Sequence, residues 1–357
     1  MRILLLAPEL FTTDSGIPRM LRLYLKALCD VAGERGGRVD FVALNDGLVD
    51  TTELRPYSGP AFHAWSVCAR DKVRFIRETL RLGGQADLLV CGHIAQLPVA
   101  WLTRLWHRRV RYVLVAHGIE VWRPLTFWQR RAVVGADRVF CVSEFTRDEL
   151  LRRVKLPDEK LAVLPNALDP VLAPAATPAP LPADPVILTI ARLAQADSYK
   201  GIDHLIAAMP TIREAEPRAR LRIVGRGDDR DRLYQLARKL KVLEAVEFAG
   251  FVSNAQLPGE FARCRLFALP SEREGFGLVY VEAMAHARPC LGARAGGTPE
   301  VITPETGVLV PYGDVPALAA AAVAALRRTW EPGPLLARAE HFSYSQFRTR
   351  LASLLHW

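Results

Sequence analysis

Hydrophobic and polar positions follow two recurring periods along the chain. Short apolar runs occur at Ile3 to Leu6, Val39 to Ala43, Leu88 to Cys91, Tyr112 to Ala116, Arg138 to Val142 and Leu161 to Leu164. Between them lie longer stretches in which apolar residues return every three or four positions, as Met20, Leu23, Ala27 and Val31 do over Met20 to Ala32. Runs that are apolar throughout belong to strands buried on both faces, and strands that alternate with helices form parallel sheets covered on both sides. The pattern fades over Pro165 to Pro185, where Pro and Ala dominate. It resumes with Val186 to Ala191, Arg220 to Val224, Val246 to Phe248, Leu266 to Leu269, Pro289 to Gly292 and Gly307 to Val310. The pattern predicts two doubly wound α/β domains, residues 1–168 and 186–340, joined by a Pro/Ala-rich linker over 169–185. A closing helix within 341–357, with Phe347, Leu351 and Leu354 on one stripe, is placed to pack back on the N-terminal domain. Ligands of open parallel sheets bind beyond the carboxyl ends of the strands, so the two domains are expected to face each other across a cleft that holds the chemistry.

Composition narrows the class. A chain of 357 residues suits two full-sized cores. At 50% hydrophobic and 24% charged it is neither disordered, collagenous nor coiled coil. Met1 to Leu6 reads as a buried first strand rather than a signal peptide, because it has one basic residue and ends at Pro8 and Glu9. No apolar stretch approaches the ~20 residues that span a bilayer. Cys29, Cys68, Cys91, Cys141, Cys264 and Cys290 lie far apart with no C-x-x-C pair, which fits small core residues in a reducing compartment. The expectation is a cytoplasmic protein, soluble or peripheral on the inner face of the cytoplasmic membrane.

Charge is uneven. Residues 1–165 carry 25 basic and 18 acidic side chains, a net +7, against +2 for 166–357. The excess predicts an anionic partner for the N-terminal half. Arg70, Arg74, Arg77 and Arg81 recur at helical spacing, with Val73, Ile76 and Leu80 on another face, and Arg104, Arg108, Arg109 and Arg111 accompany Trp101 and Trp106. These residues fit a solvated helix with its core stripe. They also fit a surface resting on an anionic membrane through Arg70, Arg74, Arg77, Arg81, Arg104, Arg108 and Arg109. No nucleic-acid motif accompanies the charge, so nucleic acid is not expected as a partner.

The segment richest in chemistry runs from Leu269 to Glu300, LPSEREGFGLVYVEAMAHARPCLGARAGGTPE. It leaves an apolar strand, turns through Pro270 and Gly275 to Gly277, and enters a helix near Leu278 with Glu282 one turn inside. Glu274 lies on the loop before that helix. The amides of Gly277 and Leu278 open the positive end of the helix dipole, which suits an anion.

Glu274 to Ala285, with G-G-T-P-E at Gly296 to Glu300 and T-G-V-L-V at Thr306 to Val310, resembles the retaining glycosyltransferase family four over nearly the whole chain. The resemblance implies the GT-B fold of two Rossmann-like domains. It also implies transfer of a sugar from a UDP- or GDP-sugar, with retention, to a glycan or polyprenyl-diphosphate-linked acceptor of bacterial surface polysaccharide or glycolipid assembly. Glu282 would then bind the ribose hydroxyls, Glu274 the hydroxyls of the donor sugar, and the Gly277 and Leu278 amides the diphosphate or sugar. Arg192 and Lys200, which flank the start of a predicted helix, would stabilise the leaving diphosphate. The family usually works without a metal, and the chain has no close His and carboxylate cluster, so neither metal nor cofactor is expected. The spacing from Arg192 to Lys200 is longer than in many relatives, which would shape this loop for its own donor.

Other positions carry weaker signals. Gly16 stands where the family places a glycine loop against the diphosphate, although a second adjacent glycine is replaced by Ile17. Glu9, Thr12, Asp14 and Ser15 share that turn and would face the acceptor. His117, at the end of an apolar strand, fits a structural histidine tied at a strand terminus, whereas the resemblance puts it near the donor sugar, binding a hydroxyl or supporting charge at the anomeric carbon. Glu120 shares its loop. Ser143 and Glu144 read as a helix cap and first turn. Gly225 and Gly227 form the start of a dinucleotide-like turn with no third glycine in register. By resemblance that turn, with the backbone near Phe251 and Val252, lines the nucleotide pocket. Two alternatives share this site: a protein that binds nucleotide sugar without turnover, and a GT-B-type sugar-nucleotide epimerase.

Overall fold

The computed structural model describes residues 1–171 and 179–355; residues 172–178 of the expected linker and the last two residues of the expected closing helix lie outside the described residues. The chain divides into two compact units, Met1–Val171 with Ser343–Trp357, and Leu172–Phe342.

The first unit is built on seven parallel strands: β1 Arg2–Ala7, β2 Arg38–Ala43, β3 Phe62–Val67, β4 Leu88–Cys91, β5 Arg111–Ala116, β6 Arg138–Cys141 and β7 Leu161–Val163, in the order β3-β2-β1-β4-β5-β6-β7. β1 lies between β2 and β4, with Leu4 beside Asp40 and Leu89. Five of its six residues are buried, because helices cover both faces of a parallel sheet. The second unit has six parallel strands: β8 Val186–Ile190, β9 Arg220–Val224, β10 Val246–Gly250, β11 Leu266–Leu269, β12 Cys290–Ala293 and β13 Gly307–Val310, in the order β10-β9-β8-β11-β12-β13. In each sheet the order reverses beside the first strand, between β1 and β4 and between β8 and β11. Those are the positions where doubly wound sheets open a crevice at the strands' carboxyl ends.

One strand escaped the apolar pattern. β3, FHAWSV, lies at the sheet edge, where Phe62 stacks between Phe41 and Trp65 at centroid distances of 5.9 Å. Having a single neighbour, it needs apolar residues on part of its surface only, and His63 and Trp65 remain exposed.

The basic helix also differs from expectation. It spans Lys72–Gly83 with Asp71 as N-cap, accepting from the Val73 and Arg74 amides, so Arg70 precedes the helix in a left-handed conformation (φ 70°) rather than lying on its face. Its core side is Phe75, Thr79 and Gly83; Val73 and Ile76 point to solvent, because Phe75 supplies the large apolar contact. Arg81 pairs with Glu78 at 2.6 Å.

The closing helix, Tyr344–Leu354, packs on the first unit's helix Gly16–Gly33. Phe347 meets the Tyr24 ring edge-on at 5.0 Å, and the Tyr344 hydroxyl donates to Asp30 at 2.6 Å. All six cysteines are buried and unpaired. Among the described residues, no helix is long and apolar enough to cross a membrane.

Candidate functional site

In the second unit, the chemistry gathers in the loops that follow β8, β9, β10 and β11. After β8 the chain runs through Arg192 into a short helical segment, Gln195–Lys200, then turns at Gly201 into the helix Ile202–Ala215. After β11 it passes Glu274 and enters the helix Leu278–Ala285. These two loops flank the reversal between β8 and β11. Lys200 Nζ donates to Glu274 Oε1 at 2.6 Å, and their side chains are only 20% and 14% exposed. Burial alone would lower the Lys200 pKa, but the charge and hydrogen bond of Glu274 outweigh it and raise it, so the ammonium persists at neutral pH. Arg192 Nε donates to Asp197 Oδ2 at 2.5 Å, and that hydrogen bond raises the arginine's pKa further.

The backbone around these side chains is tightly specified. Gly277, the residue before the helix, has φ 93°, and a Cβ there would meet the Tyr280 ring at 2.5 Å. Tyr280 in turn donates its hydroxyl to the Leu269 carbonyl, which fixes the helix start at the end of β11. The Gly297 amide donates to the Glu274 carbonyl at 2.7 Å, so the G-G-T-P-E stretch holds the loop that carries the glutamate. Glu282 lies one turn inside the helix and is half-buried.

Gly225 and Gly227 serve a purpose the G-x-G reading did not contain. A Cβ on Gly225 would lie 1.8 Å from the Ala191 carbonyl oxygen, and one on Gly227 2.0 Å from that of Leu193. The turn packs its backbone against the stretch that carries Arg192. Beyond β10, Phe251 is exposed and Arg226 lies over its ring at 4.2 Å, beside Val252.

In the first unit the loops after β1, β4 and β5 carry the candidates. Gly16 opens the helix Gly16–Gly33, and a Cβ there would meet nothing within 4 Å. The preceding loop is held from behind by Asp46, a fully buried carboxylate just after β2. It accepts from the Leu10, Phe11 and Thr12 amides at 2.7, 3.2 and 2.8 Å and from the Thr12 hydroxyl at 2.6 Å. Asp14 pairs with the buried Arg22 at 2.9 Å, and Glu9 accepts from the Thr13 hydroxyl at 2.7 Å. Thr12 and Asp14 are therefore engaged in holding the loop.

His117 is buried at the end of β5. Its Nε2 lies 3.0 Å from the Gly92 carbonyl oxygen, which can only accept, so Nε2 carries the proton and Nδ1 is the acceptor. Burial, reinforced by neighbouring His93, pushes its pKa down to about 3. Held neutral by burial, the ring presents Nδ1 as an acceptor for a hydroxyl. Glu120 takes the His117 and Gly118 amides, at 2.5 and 3.1 Å, and is itself shifted upward by burial. Ser143 is the N-cap of Glu144–Leu151, accepting from the Thr146 amide at 3.1 Å, and Glu144 pairs with Arg147. Among the described residues no group of three or more His, Cys, Asp or Glu is arranged to hold a metal ion.

Of the arginines assigned to an anionic surface, Arg104 is occupied. Its Nη1 donates to Asp137 at 2.7 Å and to the Gly135 carbonyl at 3.2 Å, which ties two helices together.

Comparison with known proteins decides the family. Residues 184–328 match the model described as glycosyl transferases group 1, and residues 22–172 match that of glycosyltransferase family 4. A GDP-mannose-dependent alpha-(1-6)-phosphatidylinositol monomannoside mannosyltransferase of Mycolicibacterium smegmatis is 32% identical over 301 residues, 77% of this chain and 77% of the relative. The chain belongs to the group 1, family 4 glycosyltransferases. A glycogen synthase of Mycobacterium tuberculosis is also 32% identical, over 57% of this chain; the matched region spans about half of that relative, 47%. Among solved structures, Anabaena HepE in complex with UDP and glucose superposes with a TM-score of 0.79 at 21% identity, over 99% of both chains. The lipopolysaccharide outer core galactosyltransferase WaaB superposes with 0.73 at 16% identity, over 99% of this chain and all of that one. These likenesses and the two parallel sheets give this glycosyltransferase-family chain the GT-B fold of two Rossmann-like domains.

Reading the sequence missed Asp46, Asp197 and His93. The only local signal among them is the lengthened Arg192 to Lys200 loop that carries Asp197.

Proposed function

We propose that the protein is a retaining, metal-independent hexosyltransferase that moves a sugar from a UDP- or GDP-sugar to a glycan or lipid-linked glycan. The observation that carries this reading is the Lys200 to Glu274 pair, 2.6 Å across the β8/β11 reversal, with Arg192 on the same β8 loop. A buried ammonium and an arginine beyond the strand ends suit a diphosphate, and a carboxylate beside them suits the hydroxyls of the sugar it carries. Family membership supports the chemistry. The mannosyltransferase relative acts on a phosphatidylinositol mannoside, which supports a lipid-linked acceptor here.

On this reading Glu282 binds the ribose, the Gly277 and Leu278 amides approach the diphosphate, and Gly225 and Val252 border the base. The bond from the anomeric carbon to the diphosphate oxygen breaks with its electron pair going to the diphosphate, whose charge Arg192 and Lys200 stabilise. The acceptor oxygen bonds to the same face, and its proton passes to the departing phosphate oxygen. His117, neutral with Nδ1 free of the proton, accepts a sugar hydroxyl. Gly16 leaves open space for the donor to approach.

The +7 of residues 1–165 supports an anionic membrane as second partner, through Arg74 and Arg77 beside exposed Val73 and Ile76, and through Arg108 and Arg109. Sedimentation with phosphatidylglycerol vesicles, and its loss on substituting these four arginines, tests that part.

The reading is tested by incubating the protein in EDTA with UDP- and GDP-sugars and following donor hydrolysis and transfer to glycolipid acceptors, with the anomeric configuration of the product read by NMR. Glu282→Ala is expected to abolish donor binding. Arg192→Ala is expected to lower kcat/KM by roughly 100-fold or more. Undiminished turnover in both variants rejects the assignment, inversion at the anomeric carbon rejects retention, and activity lost in EDTA and restored by a divalent ion rejects metal independence.

A further inference from the structure

The long loop between Arg192 and Lys200 contributes a side chain to the site. Among the described residues Arg192 makes its hydrogen bond through Nε alone, to Asp197 Oδ2, while the arginine side chain is 70% exposed and the aspartate 6%. The two partners differ in rigidity. The segment that holds Asp197 is anchored along its length: the Leu193 amide donates to the Arg226 carbonyl at 3.0 Å and the Gln195 amide to Asp228 at 2.9 Å. The Asp229 amide donates to the Leu193 carbonyl at 2.9 Å, and the Glu272 amide to the Tyr199 carbonyl at 2.8 Å. Arg192, in contrast, is a long exposed side chain whose rotamers are otherwise unconstrained.

The neighbouring carboxylates do not compete for it. Asp197 and Arg192 line a small pocket with Asp203, Asp229 and Arg232. There Arg232 holds Asp229 through two hydrogen bonds, at 2.6 and 2.7 Å, and reaches Asp203 at 3.4 Å. Asp197 is left to Arg192 and to the neighbouring Tyr199 hydroxyl, and Arg192 is its only cationic hydrogen-bond partner among the described residues. A carboxylate that takes Nε leaves the two Nη groups of the guanidinium fork for a second, bidentate anion.

We propose that Asp197 is a positioning residue: it fixes the guanidinium of Arg192 through Nε so that both Nη groups meet the leaving diphosphate of the donor. The proposal rests on the glycosyltransferase reading above. It also has an electrostatic corollary. Asp197 is an anion close to where an anion binds, so it opposes ground-state attraction while orienting the cation for the transition state. Removing it lowers turnover without weakening diphosphate binding. A residue that merely held the loop together would weaken both.

The experiment compares wild type with Asp197→Ala, Arg192→Ala and the double variant. It measures UDP and GDP binding by calorimetry, and kcat for donor hydrolysis or transfer with whichever of UDP-glucose or GDP-mannose is turned over. For Asp197→Ala, kcat is expected to fall about tenfold or more, with the diphosphate Kd within about threefold of wild type or tighter. The double variant is expected to be no slower than Arg192→Ala, because Asp197 acts through Arg192. If Asp197→Ala does not fold, Asp197→Asn, which keeps the shape of the side chain, is expected to give the same split with a smaller fall. Unchanged kcat overturns the proposal, as does Kd weakened in step with kcat, or a double variant slower than Arg192→Ala. A folded wild type that binds neither diphosphate and turns over neither sugar overturns the glycosyltransferase reading, and this proposal with it. Turnover by the wild type that is indifferent to Asp197 overturns this proposal alone.

Discussion

Lys200 and Glu274 form a largely buried ion pair, Nζ to Oε1 at 2.6 Å, between loops that leave two adjacent strands of the second sheet. Each charge depends on the other to offset its desolvation. Removing one leaves its partner buried and uncompensated, which costs more than removing both. Glu274→Ala and Lys200→Ala are each expected to lower stability by about 1 to 3 kcal/mol, and the double variant by less than their sum. Urea denaturation of the four proteins closes this cycle, and strict additivity would show that the pair contributes nothing jointly.

Asp46 supports the turn after β1 from behind. Its carboxylate serves three amides and a hydroxyl from one short stretch, Leu10 to Thr12, and none of these groups has an obvious replacement acceptor if it goes. Asp46→Ala is expected to cost roughly 2 to 4 kcal/mol, and Asp46→Asn less, because one oxygen still accepts. Hydrogen exchange should locate the damage: the Leu10 and Thr12 amides lose protection, while those of β4 and β5 keep theirs.

What could be read from the chain, and what could not, follows from how far each constraint reaches along the sequence. Strands buried on both faces appear as local apolar runs, so twelve of the thirteen among the described residues, all but the edge strand Phe62–Val67, were legible. Glu274, Gly277, Leu278 and Glu282 share one loop and helix, so a single motif displays them. Asp46 meets its partners 34 to 36 residues away, through the pairing of β1 with β2, and no local pattern encodes that. Gly225 and Gly227 carry a second constraint that their spacing does not display. Besides resembling a nucleotide-binding turn, they make room for the protein's own carbonyl oxygens at Ala191 and Leu193. On the basic helix the spacing of Val73 and Ile76 left open whether their face meets the core or an interface; both are exposed, and Phe75 between them takes the core side.

The closing helix completes the core of the first unit. Phe347 and Tyr24 are each about 1% exposed, and their rings meet edge-on. Phe347→Ala is expected to destabilise the first unit by about 3 to 5 kcal/mol, the cost of a large aromatic cavity. Tyr344→Phe, which removes the hydroxyl from Asp30, is expected to cost about 1 to 2 kcal/mol. Thermal unfolding followed by tryptophan fluorescence reports mainly on this unit, since among the described residues it holds Trp65, Trp101, Trp106, Trp122 and Trp128 and the second unit holds Trp330. An unchanged transition in Phe347→Ala would contradict the packing.

His117 makes stability depend on pH in a defined direction. Its pKa is held down to about 3 in the folded protein, so between that value and its ordinary ~6.5 the unfolded chain takes up a proton that the folded chain does not. Its contribution is therefore complete above pH ~6.5 and is lost progressively as pH falls, by about 2 kcal/mol between pH 6.5 and 5. His93 and His286 are also shifted downward by burial, so the protein's acid sensitivity is not His117's alone. The difference between proteins isolates it. His117→Gln, which cannot titrate, is expected to show a shallower fall in urea-measured stability from pH 7 to pH 5 than wild type, whatever its stability at pH 7. Identical slopes would mean that His117 is protonated in the folded state at pH 5, and that burial does not hold the ring neutral.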